Sequence, residues 1–153
     1  MDARQTEAIV AVLEAGKDLT LATLRPDGFP QATTVGYVSQ GLAIYFGCSA
    51  KSQKAANLAR DDRVSATIGL AYEHWNEIRG LSLGGRARRL TEEGEVGRAG
   101  ALFLAKFAPE IGQYLSPDGG EMALFEITPR VVSLLDYRLG FGHTELVEIG
   151  APS

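Results

Sequence analysis

The spacing of apolar and polar positions changes character along the chain. Over residues 4–15, Ala8, Ile9, Val12 and Leu13 recur at helical spacing and Gly16 can end the segment, which predicts an amphipathic helix. Short runs of β-formers follow. "LTLATL" (19–24), "FPQATTVGYV" (29–38) and "LAIYFG" (42–47) read as three strands of a meander, joined by the turns "RPDG" and "SQG". A short helix over about 51–60 is expected next, with Ala55, Leu58 and Ala59 on its inner face. "RVSATIGLA" (63–71) is a fourth strand, and "LSLGGRARRL" (81–90) a long one with a bend at Gly84-Gly85, a usual place for a bulge. Thr91 can cap a helix running to about Phe107, where Pro109 stops the pattern. "MALFEIT" (122–128), "RVVSLLDY" (130–137) and "TELVEI" (144–149) read as three further strands.

Seven or eight strands and three helices, with connections mostly too short for parallel crossovers, force antiparallel neighbours. The class expected is mainly β (α+β): an antiparallel split β-barrel with flanking helices, one domain over 1–153. There is no repeat, low-complexity segment or linker. A hydrophobic content of 45%, a charged content of 22% and a net charge of −4 describe an ordinary globular protein and give no reason to expect nucleic-acid binding. No apolar run is long enough to span a bilayer, and Glu7 and Glu14 interrupt the N-terminal segment, so no membrane and a cytoplasmic location are expected. Cys48 is the only cysteine, which excludes an intrachain disulfide or a cysteine metal cluster.

Few residues invite chemistry. "GFGH" (140–143) does not continue as a dinucleotide fingerprint, because Glu145 stands where the third glycine would be. His74 and His143 are the only histidines and are not spaced as a ligand pair, so no metal site is expected. Cys48 reads as a small half-buried residue at a strand end rather than a nucleophile. "CSAKSQK" (48–54) differs: it sets Ser49, Lys51, Ser52 and Lys54 at the mouth of a helix. Free backbone N–H groups and the helix dipole favour an anion there, the serines add hydroxyls, and the lysines can neutralise a phosphate. The same residues also read as a capped, solvated helix start. Lysine in a first helical turn slightly opposes the dipole, which tips the balance toward a ligand. "QATTVGYV" adds hydroxyls at Thr33 and Thr34 and a backbone that could hydrogen-bond a flat heteroaromatic ring.

In their order, these pieces resemble the pyridoxamine 5′-phosphate oxidase-like, FMN-binding split-barrel family. Ser52-Gln53-Lys54-Ala55 opens the helix, Asp61-Asp62 makes the turn, Arg63-Val64 enters the next strand, and Gly85-Arg86-Ala87 matches a second hallmark. The likeness covers roughly residues 5–137. It implies a homodimer with FMN at its interface, acting on a small-molecule substrate. The implied cofactor contacts are Lys54 and Ser52 on the phosphate, with Ser49, Lys51 and Gln53 nearby. Thr33, Thr34 and Val35 would line the isoalloxazine, and Gly80, Leu81 and Ser82 would lie where a ring-contacting strand falls, from the partner subunit. Trp75 is a core or interface residue, or stacks near the ring. Gln53 replaces a second basic residue, Gln31 stands where an arginine helps clamp phosphate, and "DYRLGFGHTELVEI" lacks the pattern that recognises pyridoxamine. The likeness is therefore to the short relatives rather than the genuine oxidase.

The expected function is hydride transfer through the flavin N5, with no side chain standing out as acid or base. Deazaflavin F420 is an alternative, its anionic tail held by Lys51, Lys54, Arg60 and Arg63. Another is a non-catalytic flavin- or haem-binding protein with His143, then His74, as axial ligand. The last is a dimeric module without cofactor.

Overall fold

The structure, a computed structural model, describes residues 1–113 and 120–150. Helix α1 (Ala3–Ala15) starts at Asp2, whose carboxylate accepts the Gln5 N–H while the Gln5 side chain accepts the Asp2 N–H, a closed capping box. Then come β1 (Asp18–Leu24), β2 (Pro30–Gln40), β3 (Ala43–Ser49), α2 (Gln53–Arg60), β4 (Arg63–Gly69), β5 (Arg79–Arg89), α3 (Glu93–Phe107), β6 (Met122–Asp136) and β7 (Thr144–Glu148). Every strand pairing is antiparallel. The order β3-β2-β1-β4-β5-β6 closes on itself through β3–β6, and β7 adds to β6 outside the ring. The chain is thus a closed six-stranded barrel with flanking helices, mainly β as expected. Among the described residues no helix is long and apolar enough to cross a membrane.

The inward side chains of each strand fill the barrel: Leu19 and Leu21, Val35 and Tyr37, Ile44 and Phe46, Ala66 and Ile68, Leu81 and Leu83, Phe125 and Ile127 are all buried. Phe46 and Phe125 stack at 5.2 Å across the closing seam. Helix α1 seals one end with Ile9, Val12 and Leu13, and the Tyr37 hydroxyl donates to the Leu13 carbonyl at 2.7 Å.

The expected strands at 122–128 and 130–137 are one strand of 15 residues. Pro129 reads as a break because it has no N–H for a ladder. In the fold it falls where none is needed. On that edge of β6, pairing with β3 ends at Ile127 and pairing with β7 begins at Val131. On the other edge Pro129 faces Gly85, beside the register shift between Gly84 and Gly85. That bend was legible. Two smaller expectations change. Glu92, not Thr91, precedes α3, and it makes no side-chain cap. Asn57, not Ala59, faces inward from α2. The described residues hold seven strands, within the seven or eight expected.

A Cβ on Gly85 would run into the Thr128 carbonyl oxygen, whereas one on Gly84 would meet Val131 at an ordinary 3.5 Å. Gly85→Ala should therefore cost about 1–3 kcal/mol of unfolding free energy, and Gly84→Ala less than about 1 kcal/mol. Urea unfolding of both variants reads the difference, and equal effects would refute this account of the bulge. Burial, with Asp18 nearby, pushes the Tyr37 phenol from 10.0 up to about 12. A raised phenol pKa leaves stability intact below the free value and removes it as pH climbs from 10 toward 12. Tyr37→Phe should lose about 1 kcal/mol at neutral pH but flatten that alkaline decline. Urea titrations at neutral and strongly alkaline pH would show both.

Candidate functional site

The barrel is split along part of one seam. β2 pairs with β3 only over Tyr37–Gln40, so on that side the backbone of residues 30–36 has no strand partner. β3 runs on past the divergence as Gly47, Cys48 and Ser49, held by β6 alone. The loop after β3 and the start of α2 therefore lie at the mouth of the split.

That loop is built by its own polar groups. The Ala50 N–H donates to the Glu121 carbonyl at 2.9 Å, tying the loop to the start of β6. Ser49 Oγ accepts the Lys51 N–H at 3.2 Å, and Ser52 Oγ caps α2 by accepting the Ala55 N–H at 3.2 Å. Ser52 is the N-cap, so the helix starts at Gln53, two residues later than the pattern suggests. The two serines are thus committed to the turn and the cap. Among the described residues the ammonium groups of Lys51 and Lys54 have no hydrogen-bond or ion-pair partner, and the N–H groups of Gln53 and Lys54 have no acceptor. Two cations and two aligned N–H donors at one helix start form a donor set suited to a phosphate.

Gln53 does not join that set. Its Nε2 donates to Asn57 Oδ1 at 2.8 Å. Asn57 is completely buried, and its Nδ2 donates to Thr23 Oγ1 at 3.0 Å and Gln31 Oε1 at 3.1 Å. This amide locks α2 onto β1 and β2, and so sets where the lysines stand. Gln31 thus serves this lock. The signal available in the sequence was an amide inside the apolar arc Ala55–Leu58. Its partners on β1 and β2, Thr23 and Gln31, lie 34 and 26 residues away in sequence, and only the topology reveals them.

Three arginines just beyond the loop are in use. Arg60 donates to the Leu24 carbonyl at 2.7 Å. Arg63 grips Asp61 through two side-chain bonds of 3.0 and 2.7 Å, which hold the Asp61 carboxyl well below the usual carboxylate range. Arg86 pairs with Asp62 at 2.5 Å. Of the four basic residues considered for a longer anionic tail, only Lys51 and Lys54 are free.

The other expected contacts are spread by strand alternation. Thr34 points outward, while the Val35 side chain is buried opposite Leu19 and Thr33 lies opposite buried Leu21. Only the backbone of this stretch offers a continuous surface at the split. Leu81 is in the core, Gly80 lies close against β4, where a Cβ would strike the Ile68 carbonyl at 2.5 Å, and Ser82 faces outward. Thr34, Thr20, Thr67, Ser82 and Ser133 sit opposite one another in a single hydroxyl row. Thr34 and Ser82 are three strands apart, about 14 Å at the usual strand spacing, so one protomer does not bring Gly80–Ser82 to the split.

The histidines lie elsewhere. His143 Nε2 is enclosed without a hydrogen-bond partner, 3.5 Å from Glu145 Oε2, and Glu145 is gripped by Arg4 at 2.5 Å. His74 is exposed, next to Trp75, which stacks on Phe141 at 6.0 Å and is 68% exposed rather than in the core.

Removal of the lock should be costly. Asn57→Ala leaves Thr23 and Gln31 short of a partner and opens a small void, a loss of about 2–4 kcal/mol. Thermal unfolding measures the loss, and amide exchange should quicken in α2 before the rest of the barrel. An unchanged midpoint would refute the role given to this amide.

Comparison with known proteins supplies the wider frame. The sequence model of the pyridoxamine 5′-phosphate oxidase family matches residues 5–136. No curated protein sequence matches the chain significantly. The fold is similar to a haem-binding protein of Mycobacterium smegmatis (TM-score 0.77, 24% identity), covering 97% of this chain but 59% of that one. It is similar to a conserved hypothetical protein of Mycobacterium tuberculosis (TM-score 0.73, 28% identity), covering 99% of this chain and 93% of that one. It is also similar to the haem storage protein of Vibrio cholerae (TM-score 0.64, 20% identity), covering 80% of this chain and 88% of that one.

Proposed function

Because this chain belongs to the pyridoxamine 5′-phosphate oxidase family, we propose that it is an FMN-binding oxidoreductase whose phosphate site is the start of α2. The observation that carries this reading is the unpaired donor set of Lys51, Lys54 and two N–H groups, placed where the split leaves the β2 backbone free. Bound there, FMN would supply hydride chemistry at its N5. The residues of this chain bind and orient. Lys54 and Lys51 would neutralise the phosphate, and the backbone of Thr33, Thr34 and Val35 would face the ring. Asn57 would hold α2 at the angle that aims both. No described side chain at the split is arranged as a general acid or base.

A second copy completes the reading. Gly80, Leu81 and Ser82 lie three strands from the split, so they would reach the ring only from a partner protomer. The outer face between them is exposed and carries small residues: Ala32, Thr34, Thr20, Ser65 and Thr67. We take that face as the homodimer surface.

FMN is favoured over F420 because Arg60 and Arg63 are already bonded, which leaves two of the four basic residues considered for a longer anionic tail. A haem reading, suggested by two of the structural relatives, fits less well, since His143 Nε2 is turned toward Glu145 rather than toward the split.

The first test is the visible absorption spectrum of the purified protein, with mass identification of any released ligand. Two yellow bands and released FMN are expected; a sharp haem band or a single deazaflavin band would replace the chemistry. Lys54→Ala should weaken FMN binding by about 1.5–3 kcal/mol, roughly ten- to a hundredfold in Kd, while His143→Ala should leave it unchanged. Equal affinity in the lysine variant would remove the phosphate assignment.

A further inference from the structure

Helix α3 is mounted with its polar side to the barrel. Glu95 bonds Arg88 at 2.8 Å, Ala99 is buried, and Lys106 Nζ donates to the Tyr37 carbonyl at 2.9 Å and lies 4.1 Å over the Tyr37 ring. Residues 95, 99 and 106 form one stripe at helical spacing. The apolar stripe, Val96, Gly100, Phe103, Leu104 and Phe107, is not packed into the core. It roofs an open groove of about 1000 Å³, the upper end of the size range of small-molecule sites.

The floor is the outer side of β3 and β6 at Gly47, Met122 and Leu124. It is smooth because Gly47 has no side chain, and a Cβ there would press to 3.1 Å from Leu124. The groove reaches the split: Gly36 lines it directly after Val35, and Met122 pairs with Ser49. Its charges lie among Arg89, Glu110 and Glu121. Arg89 is spent on Glu121 at 3.3 Å, and one cation against two carboxylates leaves the groove negative.

We propose that this groove is a second binding site, taking an uncharged, mainly apolar small molecule, and that it is the substrate's site beside the cofactor. The second half of that statement rests on the flavin reading above; the binding preference does not. Apolar walls favour apolar surface by burial, and a phosphorylated or carboxylate ligand would meet net negative charge with no free cation among the described lining residues. The groove thus points away from pyridoxamine phosphate as the substrate class.

The groove can be closed without harming the fold. A Cβ on Gly100 meets nothing within 4 Å, nor does one on Gly97, which does not line the groove. Replacing glycine inside a helix also removes its entropic handicap. The probe is 2-methyl-1,4-naphthoquinone, titrated calorimetrically into the full chain with and without FMN, and pyridoxamine 5′-phosphate is the charged comparator. Expected are quinone binding in both states, no competition by the comparator, and a drop of about tenfold or more in quinone affinity in Gly100→Trp. Gly97→Trp should bind as the parent does, and both variants should keep the parental unfolding temperature and FMN affinity. Failure of the quinone to bind, equal binding by Gly100→Trp, or displacement of the quinone by FMN would overturn the site. Loss of a dimer in Gly100→Trp without any quinone binding by the parent would give the groove to a second copy and also overturn it. If FMN fails to bind while the quinone binds and the plug abolishes it, the flavin reading falls and the groove stands.

Discussion

The fold depends on one strand serving three partners. β6 pairs with β5 along one edge, and on the other it hands over from β3 to β7 at Pro129. A proline in the middle of a sheet normally removes a ladder bond. Here it occupies the interval that belongs to neither neighbour. The handover also sets the barrel's shape. β3 is held to β6 over its last residues, and so it diverges from β2, giving the split from which the site is made. Closure on one seam and opening on the other are two results of the same register.

The proposed site depends on that opening being held rather than collapsed. α2 stands at the split and is fixed by a buried amide with three bonds, two of them reaching β1 and β2. A buried amide is tolerated only when its donors and acceptors are met. Meeting them here requires Thr23, Gln31 and Gln53 at once, which specifies a single seat for the helix. The serines shape the turn, leaving the lysines and the helix N–H groups as the chemically available part. The split therefore has a fixed backbone frame with unpaired cationic side chains above it.

Much of this was legible in the chain. Strand alternation and turn residues located the elements, and the Gly84-Gly85 bend appeared where two glycines interrupt a strand. The motifs around Lys54 led to the correct family. What escaped shares a cause: it depends on which strands become neighbours. Pro129 reads as a break until both edges of β6 are known. Asn57 reads as an ordinary polar residue until Thr23 and Gln31 are beside it. Thr33, Thr34 and Val35 read as one surface until alternation sends Thr34 outward and Val35 into the core. Lys106 drew no reading, and its place over Tyr37 follows only from the helix turning its polar stripe inward.

The closing seam bears on how the chain matures during synthesis. β3 is complete by residue 49, but the residues that cover its outer edge begin at 122. For much of translation, which proceeds at about 5–20 residues per second, that edge is an open template carrying Phe46 and Cys48. An unpaired strand edge invites pairing with another chain. The nascent protein thus spends several seconds exposed on the side where its barrel will close, and the order of the strands in the gene sets how long it needs protection.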